Sequence, residues 1–151
     1  MLPSFRYVRP RTVAEAVKAL AASGARAHAG GTDLIGCLRD GVFDATSVVS
    51  LSGLADLKGV SATKDGGLRI GALTTLAEVA RHAGIAKGWP ALAQGAAAAA
   101  SPQLRNQGTL GGNLCQRPRC WYFRGDFDCA RKGGELCYAV EGENTYHAIF
   151  G

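Results

Sequence analysis

Four of the five cysteines in this 151-residue chain lie within residues 115–137, and such a group of thiols can bind a metal or form disulfides. The four are Cys115, Cys120, Cys129 and Cys137, in the spacing C-x4-C-x8-C-x7-C. Structural zinc sites generally use closely spaced cysteine pairs, and only the first interval comes near that pattern. A 4Fe–4S cluster also takes four thiolates, and its larger core tolerates uneven intervals. The residues by themselves therefore favour an iron–sulfur cluster, with zinc, disulfides and free thiols as alternatives.

Positive charge is concentrated around these cysteines. The cationic residues among them are Arg117, Arg119, Arg124, Arg131 and Lys132, and the whole chain carries a formal net charge of +5. Cations at these positions would offset the negative charge of a thiolate-ligated cluster. Nucleic-acid binding is a second interpretation of the charge, but the nearby aromatic residues, WYF, are adjacent rather than spaced as stacking platforms. We therefore expect no nucleic-acid partner.

The hydropathy of the chain bears on where the protein works. No uninterrupted apolar run of about 18 residues occurs, so we expect no membrane span. The opening residues, MLPSFRYVRPRT, lack the hydrophobic core of a signal peptide. We expect a cytoplasmic protein, with the periplasm as the alternative if the chain is exported together with a partner. The cytoplasm is reducing, which disfavours disulfides.

A glycine-rich turn, AGGTDL, has the composition of a phosphate-binding site. Its backbone N–H groups, helped by the N-terminus of a following helix, can converge on a pyrophosphate. We expect the Thr32 hydroxyl to add a donor and Asp33 to cap the helix; the alternative is a tight strand-to-helix turn without a ligand. The predicted cofactor-binding residues of this turn are Ala29, Gly30, Gly31, Thr32, Asp33 and Leu34.

A second glycine pair lies in TLGGN, which we predict to be a turn that follows a strand. Two such turns in one small chain favour an extended dinucleotide between them, with the pyrophosphate on the first turn and the flavin or ribityl part on the second. IGALTT supplies further small and hydroxyl residues for the same groove. The predicted binding residues of the second turn are Thr109, Gly111, Gly112 and Asn113.

Two other site types lack support in the sequence. No GxGxxG motif is present, so nothing indicates a Rossmann nucleotide fold. No Ser-His-Asp arrangement and no pair of catalytic carboxylates emerges. The sequence therefore predicts cofactor-binding turns, with no catalytic residue on this chain.

The predicted helices and strands place these turns in an α+β fold. Thr12 with Glu15, and Thr75 with Glu78, are spaced as helix N-terminal caps, and Pro90 opens a third helix. In the first of these helices we expect an apolar stripe made by Val13, Val17 and Leu20, with Ala16 and Ala21. ARAHAG and TSVVSLSG predict strands with parallel pairing, and LKGVSATKDGGLRIG predicts a hairpin. TDLIGCLRDG predicts a short helix, in which Cys37 is an apolar filler; the chain after Cys115 has no clear period.

Several of these segments together resemble one family. AGGTDL, IGALTTLAEV, SPQLRNQGTLGGNL, QRPRCWYFR and GENTYHAIFG resemble the FAD-binding subunit of molybdenum hydroxylases, the family of xanthine dehydrogenase and carbon monoxide dehydrogenase flavoproteins. The cysteine segment is similar to the aldehyde oxidoreductase branch, whose flavin subunit carries a cluster-bearing loop. The resemblance covers essentially the whole chain.

This resemblance implies a two-lobed FAD-binding fold of the vanillyl-alcohol-oxidase and carbon monoxide dehydrogenase type. It implies an N-terminal βαβ lobe at 1–56, a second α+β lobe at 57–114, and an iron–sulfur loop at 115–151. FAD would lie between the lobes, and a 4Fe–4S cluster would be held by Cys115, Cys120, Cys129 and Cys137. Family members continue beyond the last residue of this chain, so the second lobe is expected to be truncated.

The resemblance also implies the partners and the direction of electron flow. A large subunit with the molybdenum cofactor would oxidise the substrate, and a small subunit with 2Fe–2S clusters would carry the electrons to this chain. FAD would pass them to an outside acceptor. The rival hypotheses are a zinc-stabilised module without redox function and a fragment that holds no cofactor.

Overall fold

A three-stranded parallel sheet organises the first third of the chain. The computed structural model describes residues 1–148. The strand order is β1-β3-β2, and all four residues of the central strand are buried. The parallel pairing expected from the alternation of strands and helices is confirmed. Strand β1, a three-residue edge strand whose first two residues are exposed, was not predicted from the sequence.

The elements in chain order are β1 (Arg6–Val8), α1 (Val13–Leu20), β2 (Ala25–His28), α2 (Leu34–Arg39), β3 (Ser47–Ser50), β4 (Val60–Ala62), β5 (Leu68–Ile70), α3 (Leu76–Arg81), α4 (Ala83–Gly88), α5 (Pro90–Ala98), α6 (Pro102–Gln107), α7 (Leu110–Leu114) and α8 (Trp121–Arg124), with short 3-10 helices at Ala55–Leu57 and Ala130–Lys132.

Helix α1 begins where its capping residues predict. The Thr12 hydroxyl accepts a hydrogen bond from the Glu15 backbone N–H at 3.1 Å. The expected apolar stripe is confirmed at Ala16, which is buried against the sheet, and at Leu20, which packs in the same cluster. It is wrong at Val13, Val17 and Ala21, which are exposed. The small side chain of Ala16 lets the helix lie close to the strands.

A hairpin and a group of short helices form the middle of the chain. Strands β4 and β5 pair antiparallel around Gly66, whose φ of +84° suits glycine. Thr75 and Glu78 form the predicted capping box at the start of α3. The expected single helix after Thr75 breaks at His82, whose ring accepts from the Ile85 N–H and so caps α4. The apolar residues of α3, α4 and α5 then pack in one core.

The segment RNQGTLGGNL is helical, and the expected strand is wrong. Ser101 caps α6 by accepting from the Leu104 N–H, with Pro102 in the first helical position. Thr109 caps α7 by accepting from the Gly112 N–H at 3.2 Å. The extended character is limited to one isolated bridge between Thr75 and Thr109. The two caps satisfy backbone donors at the starts of these helices.

The cysteine-rich segment is held by aromatic packing and short helical turns. Tyr122 packs edge-on against Phe127 at 5.0 Å and stacks on Tyr138 at 5.6 Å between ring centroids.

Within residues 1–148, no helix has the length and apolar character needed to cross a membrane. The division of the chain into lobes at residues 56 and 114 stays a prediction. Residues 149–151, which end both the predicted iron–sulfur loop and the GENTYHAIFG motif, lie outside the described residues.

Candidate functional site

The two glycine motifs line one cavity of about 420 Å³. Nearly all the predicted residues border it, and Ala72 and Leu73 from IGALTT lie on its wall as expected. Asn113 instead lines a second cavity of about 350 Å³, together with Thr32, Asp33, Thr109 and Gly112 from the same two motifs. Pockets of a few hundred Å³ are typical of small-molecule sites. The predicted residues that line the first cavity are Ala29, Gly30, Gly31, Thr32, Asp33, Leu34, Thr109, Gly111 and Gly112.

The first glycine turn is shaped by close backbone contacts. A Cβ on Gly30 would overlap the backbone carbonyl of Gln107, so the turn lies directly against the end of α6. Gly31 has a φ of +75°, which side chains other than glycine rarely adopt. These two requirements bring the first motif against the residues that lead into the second one.

Four consecutive backbone N–H groups of this turn are available to a ligand. The amides of Gly30, Gly31, Thr32 and Asp33 have no hydrogen-bond acceptor among residues 1–148. Backbone N–H groups at a partly enclosed site need an acceptor, from water or from a bound group. Such a row of donors at a cavity wall suits an anion such as a pyrophosphate.

The second motif presents its glycines at close range. The Gly111 N–H donates to the Ala72 carbonyl at 2.9 Å, and a Cβ on Gly111 would lie 2.8 Å from the Ala72 side chain. This contact seats α7 against the IGALTT segment. The wall of the cavity is therefore made largely of backbone and small side chains, which leaves room for a bulky ligand to approach it.

The side chain of Asp33 has a different role from the predicted helix cap. It makes no cap hydrogen bond to α2. Its carboxylate instead accepts from Arg124 Nη2 at 2.6 Å and from the Arg117 backbone N–H at 2.9 Å, and Arg119 lies 3.5 Å away. Asp33 therefore links the glycine turn to the cysteine-rich segment. A largely buried carboxylate needs donors, and this segment supplies three of them.

Arg124 is the centre of this connection. Its guanidinium also donates to the Pro118 carbonyl at 2.8 Å, to the Arg117 carbonyl at 2.9 Å and to Cys37 Sγ at 2.7 Å. Burial raises the pKa of the Cys37 thiol, and the nearby Arg124 opposes that rise. The prediction that Cys37 is a buried filler is confirmed, because its side chain is fully buried in an apolar cluster.

The structure brings together only some of the predicted cluster ligands. Cys120 and Cys129 are buried in the same apolar cluster as Cys37, whereas Cys115 and Cys137 are exposed. All five thiols are free of disulfides, so their donor chemistry suits a metal cluster. No group of three or more histidine, cysteine, aspartate or glutamate side chains in residues 1–148 is arranged to hold a metal ion. Ligation by the four predicted cysteines stays a prediction.

Three of the cations near the cysteines contact oxygen atoms of the chain. Arg119 and Arg124 pair with Asp33 rather than with the thiols of the segment, and Lys132 donates to the Gly125 carbonyl at 2.8 Å. His28, next to the first turn, has a pKa lowered by burial. Burial therefore favours the neutral form of this imidazole.

Comparison with known proteins identifies the family. Residues 3–127 match the family described as the FAD binding domain in molybdopterin dehydrogenase. The chain belongs to this family. The aldehyde oxidoreductase FAD-binding subunit PaoB of Escherichia coli is 38% identical over 153 residues, which cover 99% of this chain and 48% of PaoB. The xanthine dehydrogenase FAD-binding subunit of Escherichia coli O157:H7 is 37% identical over 110 residues, covering 72% of this chain and 38% of that protein.

Solved structures of this FAD-binding family share the fold. Carbon monoxide dehydrogenase from Hydrogenophaga pseudoflava matches with a TM-score of 0.71 and 30% identity over 76% of this chain and 40% of that chain. Quinoline 2-oxidoreductase from Pseudomonas putida 86 matches with a TM-score of 0.71 and 32% identity over the same shares. The expected α+β fold of the carbon monoxide dehydrogenase flavoprotein type is confirmed, and the chain spans about half or less of the length of these relatives.

The family domain contains cavity residues that were not predicted from the sequence. Arg26, Phe43, Leu51 and Arg117 also line the 420 Å³ cavity. Arg26 lies within the short strand β2 and Arg117 within a segment assigned to the cysteines. Neither position carries a local sequence signal for a cavity, because the cavity is formed by elements far apart in the chain.

Proposed function

We propose that this chain is part of the flavoprotein subunit of a molybdenum-dependent oxidoreductase of the aldehyde or xanthine dehydrogenase type, and that its larger cavity binds FAD. The observation that carries the proposal is the row of four amides, Gly30 to Asp33, without acceptors in residues 1–148, on the wall of a cavity that the second glycine motif also lines. A dinucleotide has the pyrophosphate that such a row of donors recognises.

The chain's own residues would bind and orient the coenzyme. The first turn donates backbone hydrogen bonds to the pyrophosphate, while Thr109, Gly111 and Gly112 contact the flavin side. Bound FAD would accept electrons and release them to another acceptor. The apolar wall formed by Leu51 and Leu73 would exclude water from one side of the ligand.

The partners and the electron route belong to the same proposal. Relatives carry the names of FAD-binding subunits of aldehyde oxidoreductase and xanthine dehydrogenase, and of the medium chain of carbon monoxide dehydrogenase. We propose a large subunit with the molybdenum cofactor, which oxidises the substrate, and a small subunit with 2Fe–2S clusters, which delivers electrons to FAD. A cytoplasmic location, or a periplasmic one by export with a partner, completes this proposal and is tested by cell fractionation.

We further propose that the cysteine segment binds a 4Fe–4S cluster. The match to PaoB covers nearly the whole chain and so includes the segment, and the four thiols supply suitable donors. In the purified, anaerobically handled chain we expect about four iron and four sulfide per chain. Replacing Cys129 with serine should abolish both while leaving FAD binding intact. One zinc per chain, or iron that is unchanged in the variant, contradicts this assignment.

FAD binding is tested with two glycine variants. Gly31 and Gly41 both have a left-handed φ, +75° and +66°, so an alanine strains the backbone at both. At Gly31 the new Cβ would also lie 2.7 Å from His28 Nε2, so thermal unfolding is measured to show that the variant is folded. Of these two, Gly31 lines the cavity. We expect Gly31→Ala to weaken FAD binding by about tenfold or more and Gly41→Ala to leave it unchanged. Equal FAD affinity in both variants contradicts the pyrophosphate role of the turn.

A further inference from the structure

Two arginines from distant parts of the chain meet at one end of the larger cavity. Arg26 comes from β2 and Arg117 from the segment between the first two cysteines of the loop. Their guanidinium carbons lie 5.1 Å and 5.9 Å from the centroid of the Phe43 ring. All three residues line the cavity, together with the first glycine turn. The aromatic ring thus holds two cations beside the amides of that turn.

Two hydrogen bonds hold the backbone of Arg117, and its side chain is left for a ligand. Its N–H donates to Asp33 Oδ2 at 2.9 Å, and its carbonyl accepts from Arg124 Nη2 at 2.9 Å. Within the described residues, its guanidinium has no ion pair and no hydrogen bond. Arg117 lines the cavity, and its five side-chain donors are available there.

Arg26 is also incompletely satisfied. Its Nε is buried and has no partner among the described residues, and its Nη1 makes a single long contact, 3.4 Å, to the Ala25 carbonyl. A buried guanidinium N–H without an acceptor is costly unless a ligand supplies one. The buried Nε is shielded from solvent, so the terminal nitrogens of the Arg26 guanidinium are the donors that a ligand in the cavity would meet.

The balance of charge in the cavity favours an anion. Among the described residues that line it, Asp33 is the one acid, and its carboxylate is already occupied by Arg124 and by the Arg117 N–H. Within that part of the chain, Arg26 and Arg117 are left without a counter-charge. Arginine recognises phosphate oxygens with paired hydrogen bonds, which a point charge does not provide.

We infer that Arg26 and Arg117, positioned by Phe43, form a two-arginine clamp on the pyrophosphate of the dinucleotide. The inference rests on the proposed FAD binding and adds to it a specificity for the phosphate-bearing part of the coenzyme. It also gives the cysteine segment a second role, because through Arg117 this segment contributes directly to the flavin cavity and is held in place by the Asp33–Arg124 pair. The clamp discriminates FAD from flavins that lack the diphosphate.

The test compares three ligands on the full chain and four variants. Dissociation constants are measured for FAD and riboflavin by flavin fluorescence and for ADP by calorimetry. The variants are Arg26→Met, Arg117→Met and Arg117→Lys, with Arg69→Met as the control, because Arg69 is an exposed cation on β5 that does not line the cavity. Thermal unfolding of each variant reports whether it is folded.

The clamp predicts a selective loss. Arg26→Met and Arg117→Met should each weaken FAD and ADP binding by about tenfold or more and leave riboflavin binding unchanged. Arg117→Lys should recover part of the loss, and Arg69→Met should match the wild type. Raising the salt concentration should weaken FAD binding to the wild type more than to Arg117→Met, since a charge–charge contact is screened.

The other outcomes separate this inference from the function on which it rests. Wild-type chain that binds FAD, with an unchanged preference for FAD over riboflavin in both methionine variants, overturns the clamp alone. Wild-type chain that binds neither FAD nor riboflavin overturns the proposed function and the clamp with it. If Arg26→Met fails to fold, the exposed Arg117 carries the test, and an unchanged FAD affinity in Arg117→Met overturns the clamp.

Discussion

Replacing Arg124 with methionine removes the guanidinium that joins the glycine turn to the cysteine segment. Methionine keeps an unbranched apolar side chain of similar reach, so the change is mainly a loss of charge and donors. The wild-type guanidinium donates to Asp33, Cys37 and the carbonyls of Arg117 and Pro118. The variant therefore tests whether this connection stabilises the fold.

The expected cost follows from the burial of the pair. The side chains of Arg124 and Asp33 are only 19% and 20% exposed. Removing one partner of a fully buried ion pair costs about 3–5 kcal/mol. Asp33 retains the Arg117 N–H at 2.9 Å and Arg119 at 3.5 Å, so its carboxylate is not left without partners. We expect a loss of about 2–3 kcal/mol in the free energy of unfolding.

Urea unfolding followed by tryptophan fluorescence measures this loss. With a slope of about 1–3 kcal/mol per molar urea, the midpoint should fall by on the order of 1 M. Arg39→Met is the matched control, because Arg39 pairs with Asp40 at 2.8 Å but both side chains are exposed. The control should lose less than about 1 kcal/mol.

A double-mutant cycle isolates the contact itself. Arg124→Met and Asp33→Asn should show a coupling energy of about 1 kcal/mol or more, since each variant removes the same ion pair. A stabilising role of the connection is refuted if Arg124→Met loses no more stability than Arg39→Met, or if the two changes at Asp33 and Arg124 are additive.

Three further outcomes follow from the described contacts. Gly30→Ala should prevent folding, because its Cβ would overlap a backbone carbonyl at the end of α6. Gly36→Ala, with open space around the new Cβ, should stabilise α2 by about 0.5–1 kcal/mol. Circular dichroism and urea midpoints measure both effects. Burial lowers the pKa of His28 below its ordinary 6.5, so the unfolded chain binds more protons than the folded one near that pH. Stability should therefore fall as the pH falls through about 6.5 and fall less in His28→Gln, and equal pH profiles contradict this. In the chain stripped of iron, Cys37, buried and with a raised pKa, should react with a thiol reagent at least about tenfold more slowly than the exposed Cys137, as mass spectrometry of labelled peptides will show.

The local capping signals of the sequence predicted the helix starts well. Thr12 with Glu15 and Thr75 with Glu78 each satisfy backbone donors within one turn, so neighbours in the chain decide the outcome. Thr109 caps a helix in the same way, but the adjacent glycines concealed it behind the pattern of a turn. Local pattern therefore fails where glycine serves close packing rather than chain reversal.

Contacts between distant residues account for the rest of the differences. Asp33 looks like a cap from its sequence position, yet its partner Arg124 lies 91 residues further along. Arg26 and Arg117 reach the same ring from the first and last parts of the fold. The first glycine turn itself could be predicted, because the left-handed φ of Gly31 and the close backbone approach at Gly30 demand glycine in the sequence.

The central claim is that the cavity between the two glycine motifs binds one FAD. Equilibrium dialysis of the full chain against FAD, with bound flavin quantified from its visible absorption, tests this most directly. We predict saturation at one FAD per chain, competition by ADP, and loss of binding in Gly31→Ala but not in Gly41→Ala. A folded chain that retains no FAD at any concentration tried, or that binds it equally well in both variants, contradicts the account.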